Sequence, residues 1–471
     1  MRRFLTLFAA LAAALVGVSS ADPGERVSTL ADQRAVGVTI YNDDLAVVRD
    51  RRRVSLPQGE SRLALRDVSA RIQPETAVLQ SLDSAAPLEV AEQDFDYDLL
   101  TPQKLLEKYV GRDVVVLHPA GKNGHRARET ARVLAANGGV VLRYADRIET
   151  TVNGDIAYPS LPPNLRDRPT LVTDVIATRG GARDVELDYL TGGMSWHADY
   201  TAMLNASDDR MDLRGLVTLQ NQSGTAYRNA SVQLVAGNVN VPLASSPLGR
   251  AAPPAMTADT YRLPREEGLF EYHLYTLPRK TTIADAQTKQ VELMRAGAFP
   301  VTKTLELRGD GGYYRVALGD LGRSVKVGTY LTFRNEGGEL GIPLPAGTVR
   351  VYKRDSSGTA QFVGGDSIDH TPAGADVRLF IGNAFDVVAN RRQTSFRVVD
   401  RQTFESSYRI EIHNAKPAAQ TVLVVEPIVG DWKITETSAP FEKTSATTAT
   451  WRLAVPAKGD AVLTYTAVVR F

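Results

Sequence analysis

Ser195, His197 and Asp199 stand at alternate positions and supply a hydroxyl, an imidazole and a carboxylate, the three groups of a nucleophilic triad. Alternate residues of an extended strand project from one face, so all three would share a surface there. His197 and Asp199 are also residue types that ligate metals. Two features weigh against catalysis. Residues two apart on a strand are separated by about 6.6 to 6.8 Å along its axis, whereas catalytic hydrogen bonds span roughly 2.6 to 3.2 Å. In addition, His197 occupies the place of the second glycine of a Gly-x-Ser-x-Gly elbow. The plainer expectation is that Trp196 and Tyr200 pack into a core and the three polar residues face solvent. With only six histidines in the chain and no second cluster of metal-ligating residues, no metal and no cofactor is expected.

Other motifs yield to similar arguments. Asp94, Asp96 and Asp98 resemble the opening of a calcium loop, but Leu99 and Leu105 stand where such a loop needs glycine and a bidentate glutamate. Arg308-Gly309-Asp310 matches an adhesion tripeptide and reads equally well as a turn between strands. Asp366, Asp369 and His370 lie between Gly364-Gly365 and Pro372, the punctuation of a loop. A glycine-rich phosphate cradle is absent from the sequence.

The elements that must carry these residues are strands. Tyr408, Ile410 and Ile412 alternate with Arg409, Glu411 and His413, and the same period of two runs through 217–220, 231–235, 323–333 and 461–471. One short helix is expected after Thr101-Pro102, with Leu105, Leu106, Tyr109 and Val110 on one face. Asn221, Asn335 and Asn414 each end a strand run and open a turn, which suits a side chain able to bond its own downstream backbone. Punctuation divides the chain into an N-terminal β domain (35–94), the helix with a small barrel-like domain of SH3 size (101–152), a β-sandwich region (153–242), an Ala/Ser/Pro-rich linker or loop (243–260) and a C-terminal β-sandwich region (261–471). The fold class is therefore all-β: multiple β-sandwich modules, an SH3-like barrel insert and one short helix. The steps Leu463, Tyr465, Ala467, Val469, Phe471 resemble the last strand of an outer-membrane barrel, but regular strands of about 10 residues with aromatic girdles are lacking, so a sandwich's final strand is expected.

Residues 1–21 read as a secretory signal peptide: Arg2-Arg3, an apolar run from Phe4 to Val18, then Ser19-Ser20-Ala21. The run is shorter than the roughly 20 residues a membrane span needs. The chain has no cysteine, which rules out both a lipoprotein anchor and disulfides. The expected location is periplasmic or secreted. Its 55 Lys+Arg balance 54 Asp+Glu, so there is no electrostatic case for nucleic acid or an anionic membrane. The one dense basic run, Arg49 to Arg53, suits a solvated strand that resists edge pairing.

Three stretches carry a family resemblance: Asp94 to Pro102, Leu190-Thr191-Gly192-Gly193-Met194-Ser195-Trp196-His197-Ala198-Asp199-Tyr200, and Glu271 to Leu277. They resemble the domain-of-unknown-function 4139 family, whose domain also forms the C-terminal part of mucoidy inhibitor A-like proteins. The resemblance implies that Trp196 and Tyr200 belong to the structural core, and it carries no activity. The expected function is non-enzymatic: an exported, envelope-associated binding or scaffold protein whose partner is an envelope protein or a surface glycan. The alternatives are a secreted hydrolase using the Ser195, His197 and Asp199 strand or a metal there, and an outer-membrane-associated β protein.

Overall fold

A computed structural model describes residues 24–96, 99–119, 126–162, 165–237, 239 and 265–471. The expected leader (1–21) and the expected 243–260 linker or loop lie outside the described residues, as do Tyr97 and Asp98. The protein is all-β with a single α-helix among the described residues, and its strands form five sheets.

Three sheets share one hydrophobic core. An eight-stranded sheet is centred on Gln33–Ile40, Ala46–Leu56 and Gly181–Thr191; a four-stranded sheet includes Gly59–Arg66 and Thr170–Ala177; a five-stranded sheet runs Gln287–Pro300, Arg210–Asn221, Met194–Leu204, Gly347–Arg354, Ala360–Ile368. Val48, Leu65, Leu187, Trp196 and Val217 all join that core. Alternation explains the basic run. Arg49 and Arg53 meet Asp188 and Asp184 of the paired strand at 3.2 Å each, and Arg51 bonds Glu186. Asp50 and Arg52 point the other way and pair with each other in the interior at 2.7 Å. There the Arg52 guanidinium also donates to the Ser28 carbonyl and Asp50 accepts from Gln33, so the buried charges are satisfied.

From Thr302 onward the structure departs from the sequence expectation. Instead of a C-terminal sandwich, nine strands form a nearly closed barrel, in the order Asp431–Thr437, Gly459–Arg470, Thr403–Asn414, Asp376–Val398, Asp320–Arg334, Thr302–Arg308, Gln420–Pro427, Thr448–Val455, Phe441–Ser445. A half-buried strand alternates in the same way in a sandwich or in a barrel wall, and only strand order decides closure. The two outermost strands are neighbours in sequence, joined by Ser438-Ala439-Pro440, yet they do not pair through their backbones. Side chains close the seam. Trp432 Nε1 donates to the Ala446 carbonyl at 2.8 Å, and Trp451 Nε1 donates to Thr437 Oγ1 at 3.0 Å. The long strands 320–334 and 376–398 serve both regions, with Phe333 and Leu379 in the first core and Val327 and Val387 in the barrel core.

The insert has its own small core of Tyr109, Val114, Val116, Val133, Leu142 and Tyr144 beneath five short antiparallel strands. Its helix spans Pro102–Lys108, and Thr101 Oγ1 caps it by accepting from the Lys104 N–H at 3.1 Å. The three asparagines occupy equivalent corners and are fully buried. The Asn221 amide donates to the Thr225 and Ala284 carbonyls, that of Asn335 to Ile342 and Pro372, and that of Asn414 to Ala418 and Pro456. Each side-chain oxygen accepts a downstream N–H, from Ser223, Gly341 and Lys416. One residue type thus satisfies the backbone where each strand turns out of its sheet.

Candidate functional site: an outward polar face

Met194–Leu204 is the central strand of the five-stranded sheet, and its alternation sorts the sequence motif into two sets. Trp196 (1% exposed) and Tyr200 (0%) point inward. The Trp196 indole donates to the Val235 carbonyl at 3.1 Å, and the Tyr200 hydroxyl donates to the Pro345 carbonyl at 2.8 Å. Ser195, His197, Asp199, Thr201 and Met203 form the opposite side, where His197 and Thr201 are exposed and the others half-buried.

The His197 and Asp199 side chains lean together until Nε2 and Oδ2 are 3.3 Å apart. Ser195 does not join them: among the described residues no hydrogen bond links its hydroxyl to the imidazole. Asp199 is held from two further directions. Thr218 Oγ1 donates to Oδ2 at 2.7 Å, and Arg350 Nη1 donates to Oδ1 at 2.8 Å. Partial burial pushes the Asp199 carboxyl up, but the Arg350 and Thr218 hydrogen bonds and the His197 imidazole outweigh it and leave the pKa below the ordinary value. Gln290 donates to Thr218 at 3.0 Å and extends the row. Arg214 and Arg295 both donate to Glu292, at 3.2 and 3.0 Å.

Sequence reasoning found only part of this face. Arg350 lies 151 residues from Asp199 and arrives beside it because Gly347–Arg354 pairs in parallel with Met194–Leu204. The same register places Tyr352 beside Met203, and the next strand sets Phe362 opposite Tyr352, their rings edge to face at 5.6 Å. Phe362 is 60% exposed, and its neighbour Val363 41%. The rings carry no local signal, since a strand aromatic is normally a core residue and only the register shows which side it takes.

The remaining motifs are structural. Asp94 and Asp96 lie on the Leu88–Asp96 strand and face Arg62 at 3.5 Å and Arg166 at 2.9 Å. Asp310 caps a short 3-10 turn, accepting from the Gly312 N–H at 2.7 Å. Asp366, with Gly364 and Gly365, lies on the Ala360–Ile368 strand rather than in the expected loop and accepts from the Phe380 N–H of the 376–398 strand at 2.8 Å, while His370, just beyond the strand, accepts from the Ala346 N–H at 3.2 Å. Among the described residues no three His, Cys, Asp or Glu side chains converge to hold a metal ion.

A second polar cluster lies inside the barrel, within its hydrophobic core. Arg391 and Glu426 pair at 2.8 Å with both side chains sealed from solvent. Tyr314 donates to Glu426 at 3.2 Å and contacts the Tyr465 hydroxyl at 3.0 Å. Burial raises the Glu426 carboxyl pKa above the ordinary range despite Arg391. Gly309 fits directly against the pair, since a Cβ there would overlap Glu426 Oε2 and Arg391 Nη1. The glycine of the adhesion-like tripeptide is therefore a packing requirement.

The chain is all-β, with a shared multi-sheet core, a nearly closed barrel and an outward polar face on which, among the described residues, Ser195, His197 and Asp199 do not assemble into a hydrogen-bonded triad. Residues 185–471 match the model of a domain of unknown function, DUF4139, and the chain belongs to that family. The matched span contains the whole polar face and the barrel. No curated protein matches the chain.

Proposed function

We propose that this protein is an exported, envelope-associated binding or scaffold protein of sandwich-like modules plus an SH3-sized insert, and that it binds through the outward face of the five-stranded sheet. The observation that carries the reading is that His197, Gln290 and Arg350 are exposed on this face and are joined into one continuous hydrogen-bonded row by the half-buried Asp199 and the buried Thr218, while Ser195 stands apart from the imidazole. Polar groups already aligned by rigid strands bind without much ordering cost. The leader-like residues 1–21 support export, to the periplasm or the medium. Kinship with mucoidy inhibitor A-like proteins is confined in this reading to the C-terminal domain.

The packing of the barrel also supports a water-borne protein over a membrane-spanning one. Leu463, Tyr465, Ala467 and Val469 point into the barrel, and Asp460, Val462, Thr464, Thr466, Val468 and Arg470 point out, a row that is mostly polar. A membrane barrel needs the reverse, an outward apolar band.

The test is retention of the fluorescently labelled chain on envelope preparations of its host. Saturable retention that survives Ser195→Ala and is lost on Arg350→Ala supports binding through this face. Breakdown of envelope material that Ser195→Ala or His197→Ala abolishes would establish the hydrolase alternative instead. N-terminal sequencing of the exported form should start at or near Asp22, and an intact Met1 in the cytoplasm would overturn the localisation.

A further inference from the structure

We infer that the ligand of this face is an uncharged glycan chain, laid along the Met194–Leu204 strand with its sugar rings stacked on Tyr352 and Phe362. The inference rests on the binding reading above and names its ligand class.

Two parts of the face have different chemistry, and together they describe the ligand. At one end, half-buried Tyr352 and exposed Phe362 form an edge-to-face pair beside Met203. Exposed aromatic area on a rigid sheet is a binding feature, because water is displaced from it at little entropic cost. Toward the other end lie the exposed Arg350 guanidinium and Gln290 amide, linked through the half-buried Asp199 carboxylate and the buried Thr218 hydroxyl. From His197 to Met203 the strand covers roughly 20 Å at about 3.3 Å per residue, enough for several sugar rings. A pyranose presents a flat C–H face that stacks on an aromatic ring, and a rim of hydroxyls that both donate and accept. That is the pattern required here.

Charge decides between glycans and the other polymers of an envelope. Arg214, Arg295 and Arg350 are matched by Asp199, Asp212 and Glu292 on the same face, with Glu339 at the rim of the shallow depression between them. Each arginine is already bonded to a carboxylate of the face, and Asp212 accepts the Ala298 N–H. A polyanion would have to break these pairs and face the carboxylates, and a polycation would meet the arginines. A neutral ligand leaves the pairs intact and uses their remaining lone pairs and N–H groups. An extended peptide added to the Ala360–Ile368 edge would also meet Phe362, and it is the main competing occupant.

The experiment uses the envelope retention assay with differently treated envelopes. Periodate, which cleaves vicinal diols, should abolish retention, whereas proteinase K should leave it intact. Tyr352→Ala and Phe362→Ala should each weaken retention about tenfold or more. Phe362 is mostly exposed, so its variant should melt with the parent and separates loss of binding from loss of fold. Raising the salt concentration should leave retention unchanged. Retention destroyed by proteinase K and indifferent to periodate would overturn the glycan and point to a protein partner at the same face, provided that Arg350→Ala still abolishes it. Retention lost in high salt would overturn the neutral class. Retention indifferent to Arg350→Ala, Tyr352→Ala and Phe362→Ala would overturn the face itself, and with it the binding reading.

Discussion

The outward face of the five-stranded sheet and the interior of the barrel use the same pairing, a carboxylate held by an arginine and a hydroxyl, for opposite ends. Asp199, half-buried against Thr218, meets the solvent-exposed Arg350 at the protein surface, whereas Glu426 with Arg391 and Tyr314 is sealed from water. In water the ion pair contributes little to stability, but its groups remain available to a ligand. In the barrel the pair is out of reach of solvent, and its integrity governs the core around it, because a single buried charge left alone is costly. Chemical type alone therefore does not mark a functional residue. Location in the fold does.

The contrast can be broken most sharply in the barrel. Arg391→Ala should destabilise the protein by about 3 to 5 kcal/mol, read as a loss in the denaturant or thermal transition of the barrel, because Glu426 is left buried and unpaired. Replacing both members, Arg391→Met with Glu426→Leu, should recover most of that loss. A double variant as unstable as the single one would show that the tyrosine network depends on the charges. Trp196→Ala should cost on the order of 3 to 5 kcal/mol through the cavity it leaves in the first core. A corner substitution such as Asn414→Ala strands the Ala418 and Pro456 carbonyls and the Lys416 N–H, and should cost about 1 to 3 kcal/mol in the same measurement.

pH sharpens the comparison, because the two carboxylates shift in opposite directions. Asp199 has a lowered pKa, so its contribution is present above the ordinary aspartate value of about 3.9 and is lost as pH falls through the folded value. Glu426 has a raised pKa, so its contribution is present below the ordinary glutamate value of about 4.3 and is lost as pH rises through the folded value. Melting curves across the acid range should therefore show the parent losing its advantage over Asp199→Asn on acidification, and losing ground to Glu426→Gln on alkalinisation. Parallel curves for both variants would mean that the two sites share one environment. The smallest effect is expected from His197→Ala, within about 0.5 kcal/mol, since the ring is half in solvent. A loss comparable to that of Trp196→Ala would show that the imidazole is structurally essential.

Local pattern was enough for several conclusions. Alternation at Met194–Leu204 put Trp196 and Tyr200 on one side and Ser195, His197 and Asp199 on the other, because a strand has a period of two wherever it lies. Thr101-Pro102 marked the helix start, since an N-cap hydroxyl and a proline in the first turn act through their own backbone neighbours. The strand-ending asparagines announced their corners for the same reason, as part of each one's hydrogen bonding reaches only a few residues downstream.

Tertiary structure alone decided the rest. Whether nine of the strands between 302 and 470 close into a barrel depends on pairings between distant segments, which alternation does not encode. The one-sided polar face depends on Arg350 and Tyr352 arriving in register beside Asp199 and Met203 by parallel pairing. The burial of Arg391 and Glu426 is likewise invisible in sequence, because both look like ordinary strand residues until the barrel wraps around them. The amino-acid sequence by itself determined which side chains share a face within each strand; only the assembled sheets determined which faces meet water and which meet one another, because that choice rests on contacts between residues far apart in the chain.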